Sequence, residues 1–168
     1  MPLRPDAAFT EIGQGEWEGL HRDEVRSRFG TELEAWRRRP TEVWAPGGES
    51  IPDGAERVRG GLRSVLGRLA EGGTPGTLDR PHVPGYGDAS EGPWSVVVAH
   101  DGIFKVLLLT LFDLPLERFW MWSFELCGIT VVELRAGRAV LRGHNLGGGA
   151  VDEAARQEAE ERVASGGL

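Results

Sequence analysis

The sequence predicts an α/β fold in which helices cover a sheet of parallel strands. Residues 94–99 (WSVVVA) contain five apolar side chains, three of which are β-branched valines, and such a run is typical of a strand buried on both faces of a parallel sheet. Segments with helical periodicity precede and follow this run, and helix alternating with buried strand is the pattern of an α/β sandwich. The composition agrees, because 168 residues with 40% hydrophobic and 27% charged side chains fit one globular domain.

The first seventy residues predict a loop followed by helices. Residues 11–19 (EIGQGEWEG) contain three glycines and predict a loop. Residues 20–29 and 31–39 predict two helices. A longer helix is expected from Ser50, its N-cap, to about residue 70, because apolar side chains recur there at spacings of three and four. They are Val58, Leu62, Val65, Leu66 and Leu69.

The second half of the chain predicts an insertion and then the rest of the same core. Residues 72–93 are rich in Gly, Pro, Ser and Asp and predict a flexible insertion rather than a domain boundary. After the strand at 94–99, helices are expected at 102–112 and 116–122, and strands at 129–134 and 139–142. We therefore treat residues 1–150 as one domain, followed by a charged C-terminal helix or tail at 151–168.

Charge and cysteine content bound the partners and the compartment. A net charge of −7 argues against nucleic-acid binding, which needs a basic face. The N-terminus has no apolar signal-peptide core, and the longest apolar run, 106–112, is far shorter than the ~20 residues of a membrane span. Cys127 is the only cysteine, so no intrachain disulfide forms, and we expect it to be a buried strand residue. No membrane partner and a cytoplasmic location are expected.

Two residues are candidates for chemistry. His100 follows the predicted strand directly, and a helix begins just after it. Ligands of α/β sheets bind beyond the carboxyl ends of strands, and a helix N-terminus favours an anion. Glu11 lies beside the glycine-rich loop, where a substrate can approach the backbone closely, and is a candidate general acid. Structural roles stay open for both, as a histidine that closes a turn and a solvated glutamate.

Together these features resemble the histidine phosphatase superfamily, which includes the phosphoglycerate mutases. The pattern E-x-x-x-G-x-x-E-G-L at 11–20 resembles the acid-donor loop of that family. The P-G-G-E-S stretch at 46–50, followed by Arg57, resembles its next substrate-side segment and helix. The stretch V-V-A-H-D-G at 97–102 resembles its second histidine motif, and His144-Asn145 resembles its closing segment.

The resemblance implies a fold and a mechanism. The fold would be the three-layer α/β sandwich of the phosphoglycerate mutase-like type, and the substrate a small phosphorylated metabolite attacked through a phosphohistidine. On the matching positions, Glu11 would protonate the leaving oxygen and His100 would bind the phosphoryl group. Gly102, Trp17 and Arg57 would take part in substrate binding. No metal and no cofactor are expected.

The sequence departs from the family on its N-terminal side. The family opens with a strand that ends in Arg-His-Gly, which supplies the nucleophile, and a Ser-x-x-x-Arg-Ala stretch follows. Neither pattern occurs in these 168 residues, and the Arg-Gly-His at 142–144 has another order. We therefore expect an N-terminally incomplete domain with an open strand edge and uncovered apolar faces at 94–99. A complementing N-terminal segment or a homodimer would cover them.

Three functions stay open at this point. The first is a phosphatase or mutase that is active only when the missing half is present. The second is a non-catalytic, vestigial module that binds anions or a partner. The third is a metal-dependent HD-type phosphohydrolase, suggested by the pair His100-Asp101, although that class needs further histidine and aspartate ligands.

Overall fold

The computed structural model describes residues 3–71, 93–135 and 137–146. Within these ranges the regular elements are helices α1 (Arg22–Arg38), α2 (Ile51–Ala70) and α3 (Asp101–Leu111) and strands β1 (Ile129–Arg135) and β2 (Arg138–Leu146). Short 3-10 turns span Ala7–Phe9, Gly15–Trp17 and Leu116–Met121. The predicted insertion at 72–93, apart from Pro93, and the predicted tail at 151–168 lie outside the described residues.

Helix α2 is the central helix and has the predicted bounds. The Ser50 hydroxyl accepts a hydrogen bond from the Asp53 N–H at 3.2 Å, so it satisfies one of the N–H groups that a helix start leaves free. The predicted apolar face is buried at Val58, Leu62 and Val65. It packs against α3, whose residues 106–109 are buried. Each buried aliphatic side chain contributes about 1.5–3 kcal/mol.

Helix α1 is kinked at the boundary between the two predicted helices. His21 is its N-cap and forms a capping box with Glu24. The backbone leaves helical geometry at Phe29, with φ −129° and ψ 28°, so α1 consists of two helical segments joined at a kink, in agreement with the helices predicted at 20–29 and 31–39. Its buried side chains include Trp36, which packs against Trp17 in the core.

The prediction that residues 94–99 form a parallel strand buried on both faces is wrong for the described structure. The segment pairs with no other strand among the described residues. Val97 and Ala99 pack on the core, whereas Val96 and Val98 are 53% and 85% exposed. The apolar run requires a second layer on its outer face, and no described residue supplies one. The exposure of Val96 and Val98 therefore agrees with the expectation that 94–99 has an uncovered apolar face.

Strands β1 and β2 form an antiparallel hairpin. Gly137 has φ +75° in the turn between them, a backbone geometry that glycine adopts without strain. The hairpin is longer than predicted, because β2 continues through His144-Asn145, which were expected to follow the last strand. Cys127 is exposed with φ +58° just before β1. The expectation of a buried strand cysteine was wrong, since the chain turns there before pairing begins.

The described residues therefore combine packed helices with strands, and the predicted α/β class is confirmed. A separate point concerns membranes: among the helices in the described ranges, none combines the length and the apolar content that a bilayer crossing requires.

Candidate active site

Two of the family-like segments form one unit through their backbones. The Glu16 N–H donates to the Pro46 carbonyl at 2.9 Å, and the Glu49 N–H donates to the Gly13 carbonyl at 2.8 Å. Gly15 has φ +49°, and a Cβ there would overlap the Pro46 carbonyl oxygen. A side chain at this position would therefore separate the loop at 11–17 from the turn at 46–50.

The Glu11 side chain joins this unit to the start of α3. Its Oε1 accepts a hydrogen bond from the Ile103 N–H at 2.9 Å, and its Oε2 accepts one from the Gly102 N–H at 3.2 Å. Oε1 also accepts from the Ile12 N–H at 2.8 Å. The first N–H groups of a helix have no partner within the helix and attract negative charge. Glu11 therefore caps α3, although Gly102 is 91 residues away in sequence.

Gly102 allows this close approach. A Cβ built at Gly102 would lie 2.8 Å from Glu11 Oε1 and 3.3 Å from the carboxyl carbon, which is closer than real side chains come. The absence of a side chain at Gly102 therefore leaves room for the Glu11 carboxylate. Its predicted part in substrate binding stays a prediction.

His100 lies at the same end of α3. It is the N-cap residue, with φ −112° and ψ 169°, its side chain is exposed, and it makes no capping hydrogen bond. The helix is capped by Glu11 instead, which leaves the imidazole ring facing solvent. Glu11 and His100 therefore lie at the same helix start, while their convergence on one cleft and their chemical roles stay predictions.

A buried lysine at this site was not identified from the sequence. Lys105 is only 7% exposed, and its Nζ lies 2.5 Å from Asp101 Oδ2. The ammonium also lies over the rings of Phe119 and Trp120, at 5.5 and 5.2 Å from their centroids, which stabilises a cation. The Asp-x-x-x-Lys spacing of Asp101 and Lys105 was the signal in the sequence that could have indicated this ion pair. The pair was missed because the lysine lies in an otherwise apolar run. Asp101 is therefore engaged by a lysine.

Metal binding has no support in the described ranges, because they contain no group of three or more His, Cys, Asp or Glu side chains placed to hold an ion. The expectation that the site needs no metal and no cofactor stays a prediction.

Arg57 lies on α2 and is directed at protein groups. Its Nε and Nη2 donate to the two Glu49 carboxylate oxygens at 2.5 and 2.7 Å. Its remaining hydrogen bonds go to the carbonyl oxygens of Ala7, Ala8 and Glu11. The substrate-binding role predicted for Arg57 stays a prediction, and the structure shows it joining α2 to the segment before the acid loop.

Trp17 is a core residue. It is 2% exposed, and its ring packs at 5.8 Å from that of Trp36 and at 6.4 Å from that of Phe29. A side chain this deeply buried offers no surface to a substrate in this conformation. The prediction of direct substrate contact is therefore corrected to a packing role beneath the acid loop.

His144 is fixed inside the hairpin. One ring nitrogen lies 2.9 Å from Thr130 Oγ1 and the other 2.7 Å from the Ser123 carbonyl oxygen. The ring also packs edge-on against Trp122 and Phe124. Both nitrogens are used in these contacts, so the described structure gives His144 a structural role.

Comparison with known proteins identifies the family of this chain. The family model of the histidine phosphatase superfamily (branch 1) matches residues 1–74 and 86–147, which include Glu11, Arg57 and His100. The matched residues are well over half of the chain. The chain therefore belongs to the histidine phosphatase superfamily.

Individual relatives are phosphatases and mutases. The chain is 42% identical over 59 residues to a 2,3-bisphosphoglycerate-dependent phosphoglycerate mutase of Methylobacterium radiotolerans, covering 34% of this chain and 27% of the relative. It is 24% identical over 136 residues to phosphoserine phosphatase 1 of Hydrogenobacter thermophilus, covering 79% of this chain and 53% of the relative. The chain thus spans about half, or less, of the length of these curated relatives.

A solved structure shares the fold. A mycobacterial glucosyl-3-phosphoglycerate phosphatase in complex with inorganic phosphate superposes with a TM-score of 0.65 at 25% identity. The match covers 83% of this chain and 63% of that chain. The predicted phosphoglycerate mutase-like fold is thereby confirmed, and over a third of the solved chain has no counterpart here.

Proposed function

We propose that this chain supplies the acid and phosphate-binding side of a histidine phosphatase site. That site hydrolyses or transfers the phosphate of small phosphomonoesters when a segment with the nucleophilic histidine is present. The observation that carries the proposal is the placement of the Glu11 carboxylate on the first N–H groups of α3, directly after His100. The names of the relatives, which are phosphatases and phosphoglycerate mutases, support the same class of reaction.

The proposed reaction has two steps. In the first, a histidine nitrogen of the added segment forms a bond to phosphorus, the ester P–O bond breaks, and Glu11 gives its proton to the leaving alcohol oxygen. In the second, a water oxygen forms a bond to phosphorus, the P–N bond of the phosphohistidine breaks, Glu11 takes a proton from that water, and the free histidine and inorganic phosphate result. His100 holds phosphoryl oxygens through both steps. In a mutase, a second alcohol would replace the water.

The acid role requires the Glu11 carboxyl group to move. In this structure both of its oxygens accept N–H hydrogen bonds, whereas a general acid carries a proton directed at the leaving oxygen. Substrate binding would therefore release Glu11 from Gly102 and Ile103, and the vacated N–H groups would become donors to a phosphoryl oxygen.

The missing nucleophile is proposed to come from a segment that pairs with residues 94–99. This segment of the chain has no strand partner among the described residues, and its outer side chains Val96 and Val98 are exposed. The hairpin also exposes apolar side chains, at Ile129 and Leu134. Such an apolar surface favours a covering layer. A second copy of these 168 residues would bring no Arg-His-Gly stretch, so we propose a complementing segment over a homodimer.

Complementation tests this function. The full chain would be mixed with a separate N-terminal segment that carries the family's Arg-His-Gly and Ser-x-x-x-Arg-Ala stretches, and p-nitrophenyl phosphate hydrolysis would be measured. We expect turnover only in the mixture. Changing the histidine of the added Arg-His-Gly to Ala should abolish that turnover.

Matched variants separate the site from the surface. His100→Ala and Glu11→Gln should each lower turnover of the mixture by about 10²-fold or more, because the members of a catalytic set act as a unit. Glu16→Gln and Glu32→Gln, which change exposed residues, should leave it within about twofold. A mixture that binds tightly but shows no turnover would contradict the enzymatic proposal and favour a non-catalytic binding module.

The cytoplasmic location belongs to the proposal and rests on the single cysteine.

A further inference from the structure

Arg57 uses every hydrogen-bond donor that it has. A guanidinium group carries five N–H groups, and five hydrogen bonds leave this side chain, all to protein acceptors. Their donor–acceptor distances run from 2.5 to 3.2 Å. The side chain is 24% exposed. In this conformation it has no donor left for a phosphate or any other ligand.

The acceptors fall into two groups that do different things. The Glu49 carboxylate accepts two of the hydrogen bonds and neutralises the guanidinium charge, as a bidentate pair does. The carbonyl oxygens of Ala7, Ala8 and Glu11 accept the other three, at 3.2, 2.9 and 3.2 Å. Arg57 thus fixes the segment at 7–11 to helix α2.

The same segment touches α2 one turn further along. Gly61 is buried, and a Cβ there would lie 2.6 Å from Ala8 Cβ and 2.8 Å from Phe9 Cζ. Residues four apart share one face of a helix, so Arg57 and Gly61 hold the segment on a single face of α2. Packing at Gly61 sets the distance between this segment and α2, and the Arg57 guanidinium sets the directions of the segment's carbonyl groups.

Glu11 is consequently held at both ends. Its carbonyl oxygen accepts from Arg57 Nη2, and its carboxylate accepts from the N–H groups of Gly102 and Ile103. A shift of the backbone at 11 away from α3 by a fraction of an ångström would lengthen the hydrogen bonds from Gly102 and Ile103 to the Glu11 carboxylate. Such hydrogen bonds weaken quickly beyond about 3.2 Å.

We propose that Arg57 is a positioning residue that sets the place of the Glu11 carboxyl group at the start of α3, and not a ligand of the substrate. The proposal rests on the proposed function in one respect, namely that Glu11 acts at this site. Glu49 completes the arrangement, because its two oxygens orient the guanidinium plane toward the carbonyl groups.

Amide hydrogen exchange at Gly102 and Ile103 tests the proposal without any turnover. These N–H groups have no intrahelical partner, so their protection reports the Glu11 contact. In Arg57→Gln we expect exchange at both amides to rise about tenfold or more, toward the rate in Glu11→Ala. Arg59→Gln is the matched control, since Arg59 lies on the same helix in an exposed pair with Glu56, and should keep the wild-type rates.

The amides of the β1–β2 hairpin distinguish local from global change. They should keep their rates in Arg57→Gln, because a local displacement of Glu11 leaves the hairpin untouched. Unchanged exchange at Gly102 and Ile103 in the folded variant would overturn the proposal. Because no turnover is measured, a failure of complementation leaves this result unaffected, and the two failures are distinguishable.

A second measurement uses the unaltered chain, in case Arg57→Gln does not fold. The Nε–H signal of Arg57 would be followed by NMR while inorganic phosphate is added. A signal that stays in place while His100 signals shift supports positioning. A phosphate-dependent shift of the Arg57 Nε–H beyond that of Arg59 would identify Arg57 as a phosphate ligand and overturn the proposal. If phosphate moves neither the Arg57 nor the His100 signals, Arg57→Lys decides the question. Wild-type exchange at Gly102 and Ile103 in that variant would also overturn the proposal.

Discussion

Replacing Gly102 by Ala perturbs the contact between Glu11 and α3 with a single methyl group. The new Cβ would lie 2.8 Å from Glu11 Oε1, 3.3 Å from its carboxyl carbon and 3.4 Å from Ile12 Cδ1. The carboxylate would have to move away, and the hydrogen bonds from the N–H groups of Gly102 and Ile103, now 3.2 and 2.9 Å long, would be lost.

The expected cost follows from the capping role of Glu11. Loss of a helix cap costs about 0.5–2 kcal/mol, and hydrogen bonds to a charged group lie toward the upper part of that range. The site is only part-buried, so water replaces some of the lost contact. We expect the free energy of unfolding to fall by about 1–2 kcal/mol, which in a chain of this size lowers Tm by about 2–8 °C.

Gly60→Ala is a control with the opposite expected sign. Gly60 is exposed on α2, and a Cβ there would meet nothing within 4 Å. Alanine is about 0.5–1 kcal/mol more favourable than glycine inside a helix, so Gly60→Ala should raise Tm. Thermal unfolding followed by circular dichroism compares the two variants. Equal shifts of the same sign would refute the reasoning, because they would show that the neighbourhood of Gly102 has no effect.

Three further predictions concern the packing. Ser50→Ala should lower the free energy of unfolding in urea by about 0.5–2 kcal/mol through loss of the α2 cap, whereas Ser64→Ala, on the exposed face of the same helix, should change it little; equal effects would count against the cap. Leu109→Ala removes a fully buried side chain and should cost about 2–5 kcal/mol; a loss below 1 kcal/mol, about half the lower bound, would contradict its place in the core. Val98→Lys alters a side chain that is 85% exposed. It should change the chain's own free energy of unfolding by no more than about 0.5 kcal/mol while weakening the binding of the complementing segment. Unchanged turnover of the mixture would exclude this face as the docking surface.

The parts of the fold that were predicted from the sequence rest on local patterns. Helix α2 begins after Ser50 and ends at Ala70, as expected, because an N-cap and a 3.6-residue periodicity depend only on neighbours along the chain. Strands were also predicted at 129–134 and 139–142, and the structure has β1 and β2 at those places. Glu11 and His100 were identified by motif order, and the structure places them at one helix start.

The parts that were missed depend on contacts between distant segments. Burial of residues 94–99 requires a layer on each face, and the apolar pattern alone does not say whether both layers are present. The five acceptors around Arg57 include three main-chain carbonyl oxygens, which carry no side-chain signal in the sequence. The capping of α3 by Glu11 likewise joins residues 91 apart. A motif therefore singles out these residues without giving their contacts.

The most direct test of the account is the hydrolysis of p-nitrophenyl phosphate by the purified 168-residue chain alone, beside its His100→Ala variant. Covalent transfer needs a nucleophile in line with phosphorus. We assign that nucleophile to an Arg-His-Gly stretch, which these 168 residues do not contain. We therefore predict that neither protein exceeds the uncatalysed rate. Robust turnover by the unaltered chain that disappears in His100→Ala would show that His100 or a neighbour supplies the nucleophile, and it would contradict the account.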